Sequence, residues 1–271
     1  MIRKLTILCL LLTQILFSQQ LDSLRYEFML NGEQLDDSLK STPFINTFAI
    51  SSDNYLTLAS ENQLYLLGWG GIVPFGNKSD QKINSFAYTS DGLLLLIKGP
   101  ELCYINELGS CEKLIELPTN DMQISNGNEV MYLFEQNKNT GSSILIAYAK
   151  GGKFKQILKS PKPINAVVEM ADNLIVAIES SIFSYNPSTE QLELVTAFSK
   201  DNKVISLAVD KERQILYLST LEGIYAFKNE QLDFLTGDFK ANIITHFKNG
   251  LVFYDSAKKE IIRIVNIDKS I

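Results

Sequence analysis

The amino-acid sequence predicts an all-β protein, a six-bladed β-propeller whose blades are four-stranded antiparallel sheets. Three observations predict it. Short apolar runs are broken by Gly, Pro, Asn and Asp turn signals, the mark of antiparallel hairpins. The runs come in groups of four. The groups recur six times at a period of about forty residues, which is the spacing of propeller blades.

The repeating unit is plainest from Ile83 to Leu117. Strand INSFAY meets a Ser-Asp-Gly turn, LLLLIK ends at a Gly-Pro break, ELCYIN runs into Glu-Leu-Gly-Ser, and CEKLIEL completes the set. One such sheet cannot bury both of its faces, so it needs neighbours of its own kind on either side.

Ahead of the repeats, Arg3 and Lys4 precede an apolar run from Leu5 to Phe17, the pattern of a secretory signal peptide. The run is short for a bilayer span. Residues 1–20 are therefore expected to be a signal peptide cleaved near Ser18 to Gln20, a retained signal anchor being the other reading. Cys9 follows Ile7 and Leu8 rather than small residues and does not read as a lipid attachment site. Residues 21–271 are expected to form a single propeller domain, exported to the periplasm or the extracellular space, with no membrane span after cleavage. The segment Leu21 to Lys40 has two readings. LRYEFML, Leu24 to Leu30, is either a strand with Leu24, Tyr26 and Phe28 on one face or part of a helix packed outside the ring.

Repeats start near Ile45, Ile83, Asp121, Ile164, Val204 and Ala241, the third being degenerate. Each first strand leads to a turn at Asp53-Asn54, Asp91-Gly92, Asn126-Gly127, Asp172-Asn173, Arg213-Gln214 or Asn249-Gly250. Apolar second strands follow (YLTLAS, LLLLIK, VMYLFEQ, LIVAIES, ILYLST, LVFYDS), then third strands (QLYLLG, ELCYIN, SILIAYA, SIFSYN, GIYAFK, EIIRIV). Fourth strands GIVPFG, CEKLIEL, KFKQIL, QLELVTAF and QLDFLTG serve five blades, and the sixth is one strand short. LRYEFML stands where it can supply the missing strand and so cover an exposed sheet edge.

The repeat resembles the six-bladed propellers of the NHL, TolB-like and two-component-regulator type, with Ile-Asn-Ser-Phe-Ala followed by Ser-Asp-Gly as the nearest local match; the likeness covers Ile45 to Ile267. The resemblance implies the fold. Lactonases of this architecture hold a metal in the channel with a Glu, two Asn and an Asp. Here the channel strands repeat Asn and show no Glu at the corresponding place.

A formal net charge of -6 with interspersed signs argues against a nucleic-acid surface, which would need a basic patch. Asn46, Asn84, Asn165 and Asn242 each fall seven residues before a turn residue. If first strands line a channel, these side chains form a polar collar near one mouth, able to hold water, a hard cation or a small polar ligand. The bland reading has each Asn bonding backbone where its blade begins. The sole histidine, His246, reads as a structural residue, and its being alone excludes a two-His metal site. Trp69, on the Gly68-Trp69-Gly70-Gly71 stretch, is either a partner contact or a lid over its own blade. Cys103 and Cys111 flank a turn, and an oxidising compartment permits a bridge between them; two separate thiols are the alternative. With no catalytic constellation and no cofactor motif, the expected function is a secreted, non-catalytic binding or scaffold module for a protein or cell-envelope partner, monomeric outside a complex. The alternative is a hydrolase of lactonase type acting on a small molecule in the channel, with or without a bound metal.

Overall fold

The computed structural model describes residues 24–30, 45–51, 53, 55–68, 71–136, 143–149, 152–171, 173–187, 189–265 and 267. The segment expected to be a signal peptide lies outside these, as do Trp69 and Asp172. Among the described residues no helix is long and apolar enough to cross a membrane.

The N-terminal segment is a strand, β1 (Arg25–Leu30). Blade one comprises β2 (Ile45–Ile50), β3 (Leu56–Ser60), β4 (Gln63–Gly68) and β5 (Gly71–Phe75); blade two comprises β6 (Ile83–Tyr88), β7 (Leu94–Lys98), β8 (Glu101–Ile105) and β9 (Cys111–Glu116). Blade three holds β10 (Met122–Asn126), β11 (Val130–Glu135), β12 (Ser143–Ala149) and β13 (Lys153–Ser160), and blade four β14 (Ile164–Met170), β15 (Asn173–Ile178), β16 (Ser181–Asn186) and β17 (Gln191–Ala197). Blade five has β18 (Val204–Asp210), β19 (Ile215–Thr220), β20 (Ile224–Lys228) and β21 (Gln231–Thr236). Blade six runs β22 (Ala241–Phe247), β23 (Gly250–Asp255) and β24 (Glu260–Val265), with β1 as its fourth strand. The chain is a six-bladed β-propeller, and the strand reading of LRYEFML holds over the helical one.

Why second strands read as unbroken apolar runs is now plain. Each lies inside its blade with a neighbouring blade on either side, so both of its faces are buried: β3, β19 and β23 are buried at every residue. Fourth strands lie on the rim, and β13 and β17 are mostly exposed or half-buried.

Among the described residues the core is six clusters, one at each junction between blades. Ala59 and Leu64 of blade one pack on Phe86 and Leu96 of blade two, and the pattern repeats around the ring. The last two clusters close it. Tyr217 and Ile224 of blade five pack on Phe253 and Ile262 of blade six with Leu24 and Tyr26 against them, while Leu58 and Ile72 of blade one meet Tyr254 and Ile261 with Met29 alongside. Strand β1 thus contributes to the cores on both sides of blade six. Each fully buried large side chain supplies about 1.5–3 kcal/mol.

Pairing of β1 with β24 is antiparallel, Arg25 opposite Val265 and Phe28 opposite Ile262, with a shift before Leu30. Tyr26 meets the Phe239 ring edge-on at 5.1 Å between centroids.

Candidate functional site at the channel mouth

First strands surround a central cavity of about 620 Å³, lined by their C-terminal halves and by the turns that follow. The mouth is thus built from one short stretch per blade.

The four asparagines expected as a collar do not line this cavity. In five blades the register between first and second strands slips near the start, at Ile45/Thr47, Ile83/Ser85, Ile164/Ala166, Val204/Ser206 and Ala241/Ile243. The residue that falls in each slip is Asn46, Asn84, Asn165, Ile205 or Asn242. A bulge releases its residue from the ladder and re-aims the side chain, and here the amide points sideways at the next blade. Asn46 Nδ2 donates to the carbonyl of Ile83 at 2.8 Å, Asn84 Nδ2 to that of Asn120 at 2.6 Å, and Asn165 Nδ2 to that of Val204 at 2.7 Å. Blade three lacks the asparagine, and Gln136 Nε2 donates to the Asn165 carbonyl at 2.6 Å instead. In blade five, which has Ile205, the Ser219 hydroxyl donates to the Ala241 carbonyl. Asn242 is exposed and has no hydrogen-bond partner among the described residues. At Asn46, Asn84 and Asn165 the repeated asparagine is thus a latch between blades.

What does gather at the mouth is a set of ionisable groups on neighbouring blades. Asp210, 2% exposed, ends β18. Its Oδ1 accepts the backbone N–H groups of Glu212 and Arg213, each at 3.1 Å, which fixes the carboxylate at the turn. Oδ2 lies 3.3 Å from His246 Nε2 and 3.8 Å from Arg213 Nε. The His246 ring stacks on Tyr217, with planes 13° apart. Burial pushes the imidazole below its usual pKa, while the Asp210 charge works the other way. Burial, reinforced by Asp210, pushes the Tyr217 phenol up to about 12. His246 is therefore neutral near pH 7, and the carboxylate beside Nε2 draws the single ring proton to that nitrogen, leaving Nδ1 as an acceptor.

Across the mouth, Glu169 at the end of β14 reaches over to blade three. Its Oε2 accepts Tyr132 O–H at 3.1 Å and the Asn128 N–H at 3.0 Å. Burial, then this carboxylate, raises the Tyr132 pKa. Gly127 makes the approach feasible, because a Cβ there would stand 2.3 Å from Glu169 Oε2 and 2.6 Å from the Tyr132 ring. Lys211 Nζ, on the blade-five turn, donates to Asn128 Oδ1 at 2.8 Å. Blades three, four and five are thereby tied together at this end.

The residue types of the lactonase set, a Glu, an Asp and two Asn, are present in the lining as Glu169, Asp210, Asn126 and Asn249. Among the described residues no three His, Cys, Asp or Glu side chains converge. Glu169 and Asp210, the acids that come nearest to such a role, already accept two backbone or side-chain hydrogens each.

Cys103 and Cys111 stand as free thiols on β8 and β9. Register sets Cys103 opposite Lys113 and Cys111 opposite Ile105, so the two are diagonal neighbours rather than directly opposite. Their sulfurs hydrogen-bond, which raises the pKa of Cys103 and lowers that of Cys111.

No protein-family model matches the chain. No curated protein matches it either. Among solved structures it is similar to the extracellular domain of BT4673 from B. thetaiotaomicron, assigned to a one-component system, with 20% identity and a TM-score of 0.59 over 81% of this chain and 32% of that one. It spans about a third of the length of that structure. A gluconolactonase, XC5397 from Xanthomonas campestris, is similar over 90% of each chain with 11% identity and a TM-score of 0.69. A luciferin-regenerating enzyme is similar over 90% of this chain and 96% of its own, with 11% identity and a TM-score of 0.68. These likenesses establish the fold.

Proposed function

We propose that the chain is an exported, non-catalytic propeller that serves as a binding or scaffold module for a protein or cell-envelope partner. The observation that carries this reading is a groove of about 370 Å³ between blades two and three, bounded by their strand 1–2 turns. Leu93, Leu95, Leu114, Val130, Met131 and Tyr148 line it. Leu93 is 40% exposed and Leu114 37%, and Tyr55 on the neighbouring 1–2 turn is 57% exposed. Leu95, Met131 and Tyr148 form its buried floor, and the exposed Leu93 and Leu114 are stabilised when a partner covers them, since such pockets receive the anchoring residues of interfaces. The signal-like leader supports export, and the BT4673 likeness, an extracellular domain, agrees with it.

The test is site-specific photo-crosslinking of the full chain in the cell that makes it, with the crosslinker at position 93 or at rim position 194. One discrete adduct from position 93 and none from 194 is expected. The same background from both positions overturns the reading. Metal analysis of the purified protein is the second check, and a stoichiometric, tightly held divalent cation would replace this reading with the hydrolase.

A further inference from the structure

We propose that the channel mouth is a binding site for a small uncharged molecule carrying several hydroxyl groups, a polyol or monosaccharide, with His246 as its hydrogen-bond acceptor. This inference goes beyond the groove between blades two and three and does not rest on it. The cavity, about 620 Å³, has the size of a small-ligand site.

Most of the charged groups at the mouth already have hydrogen-bond partners within the protein. Glu169 is held by Tyr132 and the Asn128 N–H, Lys211 by Asn128, and Asp210 by two backbone N–H groups beside His246 and Arg213. Of the remaining lining charges, Glu212 and Lys248 are both exposed and opposite in sign, and Lys248 Nζ sits over the Phe247 ring at 4.9 Å. The lining acids Glu169, Asp210 and Glu212 outnumber the lysines Lys211 and Lys248 by one, an excess that disfavours an anion, while Glu169, Asp210 and Lys211 are already engaged by partners within the protein.

What is left over is neutral. Thr47, Ser125, Asn126, Thr245 and Asn249 line the cavity, and their side chains have no hydrogen-bond partner among the described residues. Hydroxyl and amide groups both donate and accept, so together they match the hydroxyls of a polyol. His246 adds one acceptor of fixed direction. Asp210 sets its tautomer and Tyr217 holds the ring plane, so Nδ1 accepts without having to be ordered first, which favours binding. Phe48 and Phe247, also in the lining, give the C–H faces of such a ligand an apolar wall.

His246 is the only histidine, so its ring C–H resonances report the site without overlap. The wild-type chain is titrated with D-glucose, D-galactose and myo-inositol, with sodium acetate and ammonium chloride as charged controls. A saturable shift of the His246 signals with at least one of the three neutral compounds, and none with the controls, is expected. By calorimetry H246F, which keeps a flat ring against Tyr217 and removes the acceptor, should bind at least tenfold more weakly. The double variant N126A/T245V should also weaken binding while leaving the imidazole signals to be followed, and it carries the test if H246F does not fold. No saturable shift with any neutral compound, tighter binding of acetate, or unchanged affinity in the variants overturns the proposal. Loss of the position 93 adduct bears on the partner groove alone, so the two failures are distinguishable.

Discussion

A histidine placed against the wall of a narrow channel gives up hydration it would need as a cation, and this outweighs the Asp210 carboxylate beside His246. The groups that bear on it are Asp210 and Glu212, which favour the charged ring, and Arg213 and Arg263, which oppose it. Because the folded pKa is depressed, the unfolded chain takes up the proton first as pH falls through its ordinary value near 6.5, so folding loses stability from there down to the folded pKa. H246N should lack that slope. Melting temperatures of the two proteins between pH 7.5 and 5 are the check, and parallel curves would refute it. The two cysteines differ for a local reason as well. The Cys103 thiol donates to Cys111, and Lys98 also favours charge on Cys111, so Cys111 should be alkylated first by iodoacetamide, with fully buried Cys103 following only on unfolding. Peptide mass mapping reads the order. The sequence picked out His246 and the two cysteines but not the surroundings that set their behaviour. Asp210 reads there as an ordinary strand-end acid, and its meeting with His246 depends on two blades being neighbours.

Strand by strand, the sequence was far more legible. Second strands announced themselves because burial on both faces removes every polar residue that would have broken the run, and turns did so because Asn, Asp and Gly adopt left-handed conformations such as that of Asn249 at φ 58°. The asparagine repeat was visible but its purpose was not, since a bulge leaves no mark in the residue pattern and only the bulge turns the amide from the channel to the next blade. That geometry gives uneven expectations for four residues that look alike. Asn46→Ala and Asn165→Ala each leave a carbonyl of the next blade without its donor and should cost about 1–2 kcal/mol, adding roughly independently because the junctions are far apart. Asn242→Ala, at an exposed side chain, should be near neutral. Denaturant midpoints measure all three, and equal losses at every position would count against the latch.

For the molecule as a whole, closure of the ring is the feature on which stability turns. The incomplete sixth repeat made the need for a donated strand legible, although Leu21 to Lys40 carries too little periodicity to decide between strand and helix by itself. Deleting residues 24–30 removes Leu24, Tyr26 and Met29 from the cores flanking blade six and strips the partner from β24. Each of those side chains is partly buried, so the loss should be several kcal/mol in sum at about 1.5–3 kcal/mol for each full burial. The melting temperature should fall, and the bared edge should recruit a second chain. Calorimetry with light scattering decides it, and a monomer with an unchanged melting temperature would eliminate the closing role.

Strand β1 also sets a timetable. It is made before any blade, and its partner β24 is made more than two hundred residues later, so it must wait through the synthesis of five complete sheets. Contacts between segments so distant in the chain carry the largest entropic cost and form late. The first strand produced is therefore the last to be seated, and until it is, the nascent molecule is an open arc whose final sheet still shows an unpaired edge.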